Sequence, residues 1–369
     1  MQSIRTSKAL TIVADANISH LGDYFNLQIL GVDVTVIKVA GREITHELLT
    51  SVKPQALLVR SVTFVNESLL VGQDSVQYVG SATIGTDHID QAYLNQKNIG
   101  FANASGCSKH SVAQYVLTSI LTLRPQYWQK PITLGIIGLG NIGSTLAHYA
   151  NDLGWQVLGY DPFLESTQRN HKNNNASFKQ LLQHSDVISL HVPLTTSQQS
   201  KYPTYHLIDE NALTMMKTDT LLVNSSRGKV VSEQALLAEQ PDSKRQVVLD
   251  VFEHEPFIST HLLDKLAVVT PHIAGYSVEG KLRGTQMIYE AFCKHFNLPI
   301  NQKIQNLLPA NQYNWADLKK MPDRLVDYYN IMQDDADLRN VLNQISKQVD
   351  GKDFDELRKK YELRREWTF

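Results

Sequence analysis

Short apolar runs rich in Val, Ile and Leu alternate along the chain with longer amphipathic stretches. The runs predict strands at Ala9–Ala14, Val34–Val39, Ala56–Val59, Val76–Val79, Ile136–Ile137, Gln156–Gly159, Val187–His191, Thr220–Asn224, Val247–Asp250 and Val268–Thr270. Unbroken apolar runs suit parallel strands covered on both faces better than strands with one wet face. Strand–helix alternation implies parallel sheets with right-handed crossovers. Ten strands are too many for one such sheet, so the pattern predicts an α/β fold with two doubly wound domains. Ser108–Leu123 is apolar-periodic and long enough to carry the chain from the first domain to the second. Ser277–His295 is a second helical stretch that would carry it back, so that two crossovers bracket a cleft. A segment with weaker strand signals follows Pro299 and ends in the charged helix DFDELRKKYELRREW, where Phe354, Leu357, Tyr361, Leu363 and Trp367 are available to pack. Its basic run reads as a solvated helix face.

Length and charge narrow the picture. A chain of 369 residues, 42% apolar and 20% charged, fits a soluble protein of two or three domains. A net charge of −2 calls for neither nucleic acid nor an anionic membrane. The start, MQSIRTSKALTIVADANI, lacks the apolar core and small-residue site of a signal peptide, and no apolar run approaches bilayer length. Cys107 and Cys293 match no metal-ligand spacing and read as two reduced thiols of a cytoplasmic protein. No metal is expected.

The first chemical signal is Gly138-Leu139-Gly140-Asn141-Ile142-Gly143, preceded by an apolar strand and followed by a helix that Gly154 is placed to end. Gly138 permits the tight turn, Gly140 lets a pyrophosphate approach the backbone, and Gly143 lets helix and strand pack closely. The helix N-terminus offers free N–H groups to the phosphate. Asp161 closes the next strand, where it would accept hydrogen bonds from ribose hydroxyls and repel a 2′-phosphate, which favours NAD over NADP. The competing reading is a glycine-rich turn that only packs.

The second signal is three residues at the ends of successive strands. Arg227 follows TLLVNSS, Glu255 sits in DVFEHEP, and His272 follows AVVTP. In doubly wound sheets the carboxyl ends of the strands face the ligand crevice. Oxidising a secondary alcohol needs a base for the hydroxyl proton, and histidine accepts one near neutral pH. A carboxylate would orient it, and an arginine fork could hold a substrate carboxylate. Each residue alone is weak evidence, since the chain has 13 histidines; the joint placement carries the reading.

GLGNIG, NSSRG, DVFEHEP and TPHIAGYS, in this order, resemble the motifs of the D-2-hydroxy acid dehydrogenase family. LLVRSVTFVNESLL, VGSATIGTDHID, HIAGYSVEGKLRGT and the C-terminal tail resemble the branch of that family that acts on a phosphorylated four-carbon acid. The resemblance implies a Rossmann NAD domain at 108–271, inserted in a flavodoxin-like substrate domain at 1–107 and 272–295, with an α+β dimerisation domain at 296–369. It implies NAD-dependent oxidation of 4-phospho-D-erythronate at C2, on the route to pyridoxal 5′-phosphate, by a homodimer. His272 would be the acid/base, with Glu255 and Arg227 as its partners. Ser61, Thr83 and Tyr276 match substrate positions; Asp161, Asp250 and Gly275 match NAD positions. From the residues alone, Arg60 and Ser61 could hold a phosphate or be an ordinary loop pair, Thr83 could be only part of a turn, Tyr276 could simply cover the cleft, and Asp250 could cap a loop. Lys281 and Arg283 compete with Arg60 for the phosphate. Val192 stands where a small polar residue would be expected near the nicotinamide ribose, so only main-chain contacts are expected there. The Asn-rich stretch 165–178 reads as a variable surface loop. The competing functions are 3-phosphoglycerate dehydrogenase, an NAD-sensing binding protein of the corepressor kind, and an inactive enzyme kept for dimerisation.

Overall fold

The computed structural model describes residues 9–164, 173, 176–239, 243–343 and 346–369; most of the Asn-rich stretch lies outside them. The chain forms two compact units, 1–108 with 278–310 and 109–277 with 311–369.

In the first unit, β1 (Leu10–Asp15), β2 (Val34–Val39), β3 (Ala56–Val59), β4 (Tyr78–Ser81) and β5 (Gly100–Asn103) form a parallel sheet in the order β2-β1-β3-β4-β5. Neighbouring residues of a strand point to opposite faces. Ile12, Ala14, Leu58 and Tyr78 therefore pack with Leu282, Ile288 and Phe292 of the Val278–His295 helix. Val13, Leu57, Val59 and Val79 pack on the other face with Leu49, Leu69 and Leu94. Burial on both faces explains why these strands read as continuous apolar runs. The four-residue β5, GFAN, gave no such run. Its Gly100 has a packing reason: a Cβ there would meet the ring of His295 at 2.5 Å.

The second unit holds β6 (Thr133–Ile137), β7 (Gln156–Tyr160), β8 (Val187–Leu190), β9 (Leu221–Asn224), β10 (Gln246–Leu249), β11 (Ile258–Ser259), β12 (Val268–Val269), β13 (Leu342–Asn343) and β14 (Gln348–Val349). Six of them form a parallel sheet, β12-β10-β9-β8-β6-β7, and three form a small antiparallel sheet, β11-β14-β13. The helices Lys109–Leu123 and Asn141–Asp152 cover one face of the large sheet through Val116, Ile120, Leu146 and Ala147. Leu181, Leu213 and Leu236 belong to the core on the other.

The two-domain α/β architecture matches the fold expected from the pattern, and the structure adds a small antiparallel sheet. Residues 278–310 belong to the first unit and 311–369 to the second. Trp315 and Trp367 stack at 5.7 Å, and Tyr149 of the Asn141–Asp152 helix meets Trp315 edge-on at 5.2 Å. Asp335 accepts the Val269 N–H of β12 at 2.8 Å, and Arg339 both pairs with Asp335 and caps the carbonyls of Leu263 and Leu266. Cys107 and Cys293 are buried thiols, and among the described residues no helix is long and apolar enough to cross a membrane.

Candidate active site

Both parallel sheets reverse their winding at one place, between β1 and β3 and between β6 and β8. Such switch points open a crevice at the carboxyl ends of the strands. In the second unit Gly138 leaves β6 there, with φ +91°. A Cβ at Gly138 would overlap the His191 carbonyl just past β8, and one at Gly143 would overlap the Gly138 carbonyl. At Gly140, by contrast, a Cβ would meet nothing within 4 Å. Two glycines thus close the loop against its own strands, and the third leaves bare backbone facing open space. The Asn141–Asp152 helix starts at Gly140, which provides no side-chain cap for its first N–H groups. Asn141 and Ile142 form its first turn. This is a cradle suited to a dinucleotide pyrophosphate. The Asp161 carboxylate, at the end of β7, accepts the N–H of Leu139 at 3.0 Å and of Phe163 at 3.1 Å. It therefore fixes the glycine loop as well as carrying charge beside it. Val192 packs against the core, so no side-chain oxygen stands there.

Arg227, Glu255 and His272 follow β9, β10 and β12, which are neighbours in the sheet. All three therefore leave the same edge of the sheet, and two of them meet. His272 Nδ1 lies 2.7 Å from Glu255 Oε1. With the carboxylate on Nδ1–H, Nε2 is left to take or give a proton. Burial works against charge on Glu255, but the facing His272, their hydrogen bond and the charge of Arg358 hold its carboxyl below the usual range. His272 is in the left-handed region, φ 56°, which a residue with a Cβ adopts only when its surroundings impose it. Gly228 shows how the Arg227 loop is placed. A Cβ there would run into the Phe252 carbonyl and lie 2.7 Å from the Glu253 N–H, so only glycine lets NSSRG lie against DVFEHEP.

Asp250 binds the residues on both sides of His272. It is 1% exposed. One oxygen accepts from Thr270 Oγ1 at 2.6 Å and Ile273 N–H at 2.8 Å; the other accepts from Ala274 N–H at 2.9 Å. Of the roles left open for it, capping the loop is the one its contacts display. Burial pushes its carboxyl up to about 6, although the nearby His272 and these three bonds work the other way. Gly275 and Tyr276 continue the same loop, closed by a Tyr276 N–H bond to the Ile273 carbonyl at 2.8 Å.

The loop is held from behind by residues of the C-terminal tail. Arg364 donates to the carbonyls of Ile273, at 3.0 Å, and Ala274, and to Ser111 Oγ at 3.0 Å. Glu366 accepts from Ser277 Oγ at 2.9 Å. Arg358 donates to the Tyr276 hydroxyl at 3.3 Å. The solvated basic face expected for the tail therefore holds for Lys359 and Lys360, which are exposed, and fails for Arg358 and Arg364. The signal was present: Arg358 lies four residues after Phe354 and shares its helix face, and Phe354 is fully buried.

Arg60, Ser61 and Thr83 lie in the first unit, at the ends of β3 and β4. Ser61 is exposed and Arg60 half-buried. Thr83 gives its hydroxyl proton to the Gly85 carbonyl at 3.0 Å, so Ser81, 2.8 Å away, must donate to Thr83 and accept from His88 Nε2 at 3.1 Å. Thr83 is therefore held by a built network rather than loose in a turn. Arg283 of the same unit reaches the Cys107 carbonyl.

Residues 124–274 match the family model of the D-isomer specific 2-hydroxyacid dehydrogenase NAD binding domain, and 301–369 match a domain of unknown function. The chain is 56% identical to the erythronate-4-phosphate dehydrogenase of Psychrobacter cryohalolentis, over 98% of this chain and 97% of the relative. It is 48% identical to the enzyme of the same name from Acinetobacter baumannii, over 97% and 98%. Among solved structures it resembles the D-mandelate dehydrogenase of Rhodotorula graminis, with a TM-score of 0.65 and 23% identity over 78% of this chain and 94% of that one. It also resembles an NAD-bound 3-phosphoglycerate dehydrogenase of Entamoeba histolytica, with a TM-score of 0.64 and 21% identity over 79% and 96%. The last two likenesses carry the fold alone. With a full-length relative at 56% identity and an NAD-binding domain over its centre, the chain belongs to the erythronate-4-phosphate dehydrogenases of the D-isomer specific 2-hydroxyacid dehydrogenase family.

Proposed function

We propose that the chain oxidises 4-phospho-D-erythronate at C2 to 2-oxo-3-hydroxy-4-phosphobutanoate, with NAD, as a cytoplasmic step toward pyridoxal 5′-phosphate. The observation that carries the chemistry is the His272–Glu255 pair at 2.7 Å, set at the carboxyl edge of the sheet that also bears the glycine loop. His272 Nε2 takes the C2 hydroxyl proton, and Glu255 steadies the imidazolium that results. Arg227 holds the substrate carboxylate and stabilises charge on the forming carbonyl oxygen. NAD, when bound, accepts the hydride that leaves C2. Gly138, Gly140, Asn141, Ile142 and Gly143 hold its pyrophosphate and Asp161 its ribose; Asp250 and Gly275 shape the loop on its nicotinamide side. Arg60, Ser61, Thr83 and Tyr276 meet the substrate, with the phosphate on Arg60. Two copies associate through the C-terminal segment, in line with the family resemblance of that tail, and sedimentation velocity of a truncated chain compared with the whole one tests this.

The reaction is tested with substrate carrying deuterium at C2. The label should appear in NADH with one equivalent of 2-oxo acid formed. NADH without label, or label kept in the acid, would overturn the assignment of C2 as the reacting carbon.

A further inference from the structure

The C-terminal Gly351–Lys360 helix sends one basic side chain inward. Arg358 is mostly buried, and its Nη2 is 3.3 Å from the Tyr276 hydroxyl. Its guanidinium lies 6.0 Å from the centre of the Tyr276 ring and 5.8 Å from that of Phe354. Its nearest acid on the same helix, Asp355, is 3.6 Å away and half-exposed, a weak partner. Its Nε–H is buried without an acceptor. A guanidinium kept for an ordinary surface ion pair would not stay under the reacting loop with a donor unmet. Tyr276 also meets the Tyr361 ring edge-on at 6.0 Å, so the tail contacts it from two sides.

We propose that Arg358 is a positioning residue for substrate binding: it fixes the Tyr276 hydroxyl, so that the tail completes the active site of its own chain. This rests on the reading of Tyr276 as a residue that meets the substrate. Arg358 acts through Tyr276 and so governs capture of the anionic acid rather than the proton transfer.

The test is a double-mutant cycle with Arg358→Gln, Tyr276→Phe and both together, in the full-length protein, with 4-phospho-D-erythronate as the varied substrate. Each single variant should raise KM about tenfold, with kcat changed less and the Kd of NAD held within about twofold. The double variant should be no worse than about twofold beyond either single one, because the two act as a unit. Arg358→Lys keeps the charge and a donor, so it should recover part of the loss; this also serves if the glutamine variant does not fold. Additive losses, or a Tyr276→Phe effect without an Arg358→Gln effect, would overturn the role of Arg358 alone. Unchanged KM in Tyr276→Phe would overturn the Tyr276 reading, and with it a role for Arg358 through that residue.

Discussion

The glycine loop after β6 and the reacting loop after β12 lie at the same edge of one sheet, yet they are held in place differently. The glycine loop is shaped locally. Gly143 lets it fold on itself, Gly138 lets it pass the His191 carbonyl after β8, and Asp161, at the end of the next strand, ties Leu139 down. The loop after β12 is held from outside as well as by its own backbone bonds. Asp250 of a neighbouring strand binds three of its groups, and Arg364, about ninety residues downstream, binds two of its carbonyls. A loop that carries a phosphate site needs bare backbone, which glycine alone provides. A loop that carries a histidine at φ 56° needs outside restraint.

The largest effect should come from the reacting loop itself. His272→Ala is expected to lower kcat about a thousandfold, the ordinary worth of an acid/base group. Binding of NAD, measured by titration calorimetry, should stay within about twofold; an equal loss of NAD affinity would mean that the residue serves the cofactor instead. Next comes the glycine loop. Gly143→Ala forces a Cβ against the Gly138 carbonyl and should cost about 1–3 kcal/mol in thermal or denaturant unfolding. Gly140→Ala meets no protein atom and should melt as the unaltered chain does while binding NAD more weakly. Equal melting of the two variants would break the distinction between a glycine for packing and a glycine for ligand approach.

A smaller effect is expected at Asp161. Asp161→Asn keeps an acceptor for the Leu139 N–H and drops the charge. Its preference for NAD over NADP should fall about tenfold, or about 1.4 kcal/mol; an unchanged ratio would leave Asp161 as a loop brace only. The smallest signal is in pH. Asp250 titrates near 6 in the folded chain and near 4 when unfolded. Between those values the folded state binds more protons, so this group's contribution to stability falls as pH rises from about 4 to about 6 and is level above. Asp250→Asn should remove that slope from the melting temperature plotted against pH, and an unchanged slope would assign it to other carboxylates.

How much of this was legible follows from the same contrast. The α/β class, most strands and the glycine loop depend on apolar runs and on residues near one another in sequence. Arg227, Glu255 and His272 could be put at one sheet edge from the sequence because each follows a strand, and those three strands are neighbours in the sheet. What was hidden depends on distant partners. β5 is too short and too poor in apolar residues to announce itself. Nothing within 311–369 reveals that Trp315 packs on Tyr149 or that Asp335 binds the Val269 N–H. Arg364 read as solvated because the carbonyls that bury it belong to residues 273 and 274. Arg358 could have been found from its spacing to Phe354; the charge of its neighbours masked it.

The central claim is that this site oxidises the four-carbon phosphorylated acid with NAD, and one measurement bears on it most directly. Purified protein is offered 4-phospho-D-erythronate and 3-phospho-D-glycerate side by side with NAD, with an added 2-oxo acid to reoxidise any retained NADH. The account predicts turnover with clear preference in kcat/KM for the four-carbon acid. Preference for the three-carbon acid, or no turnover of either, would contradict it.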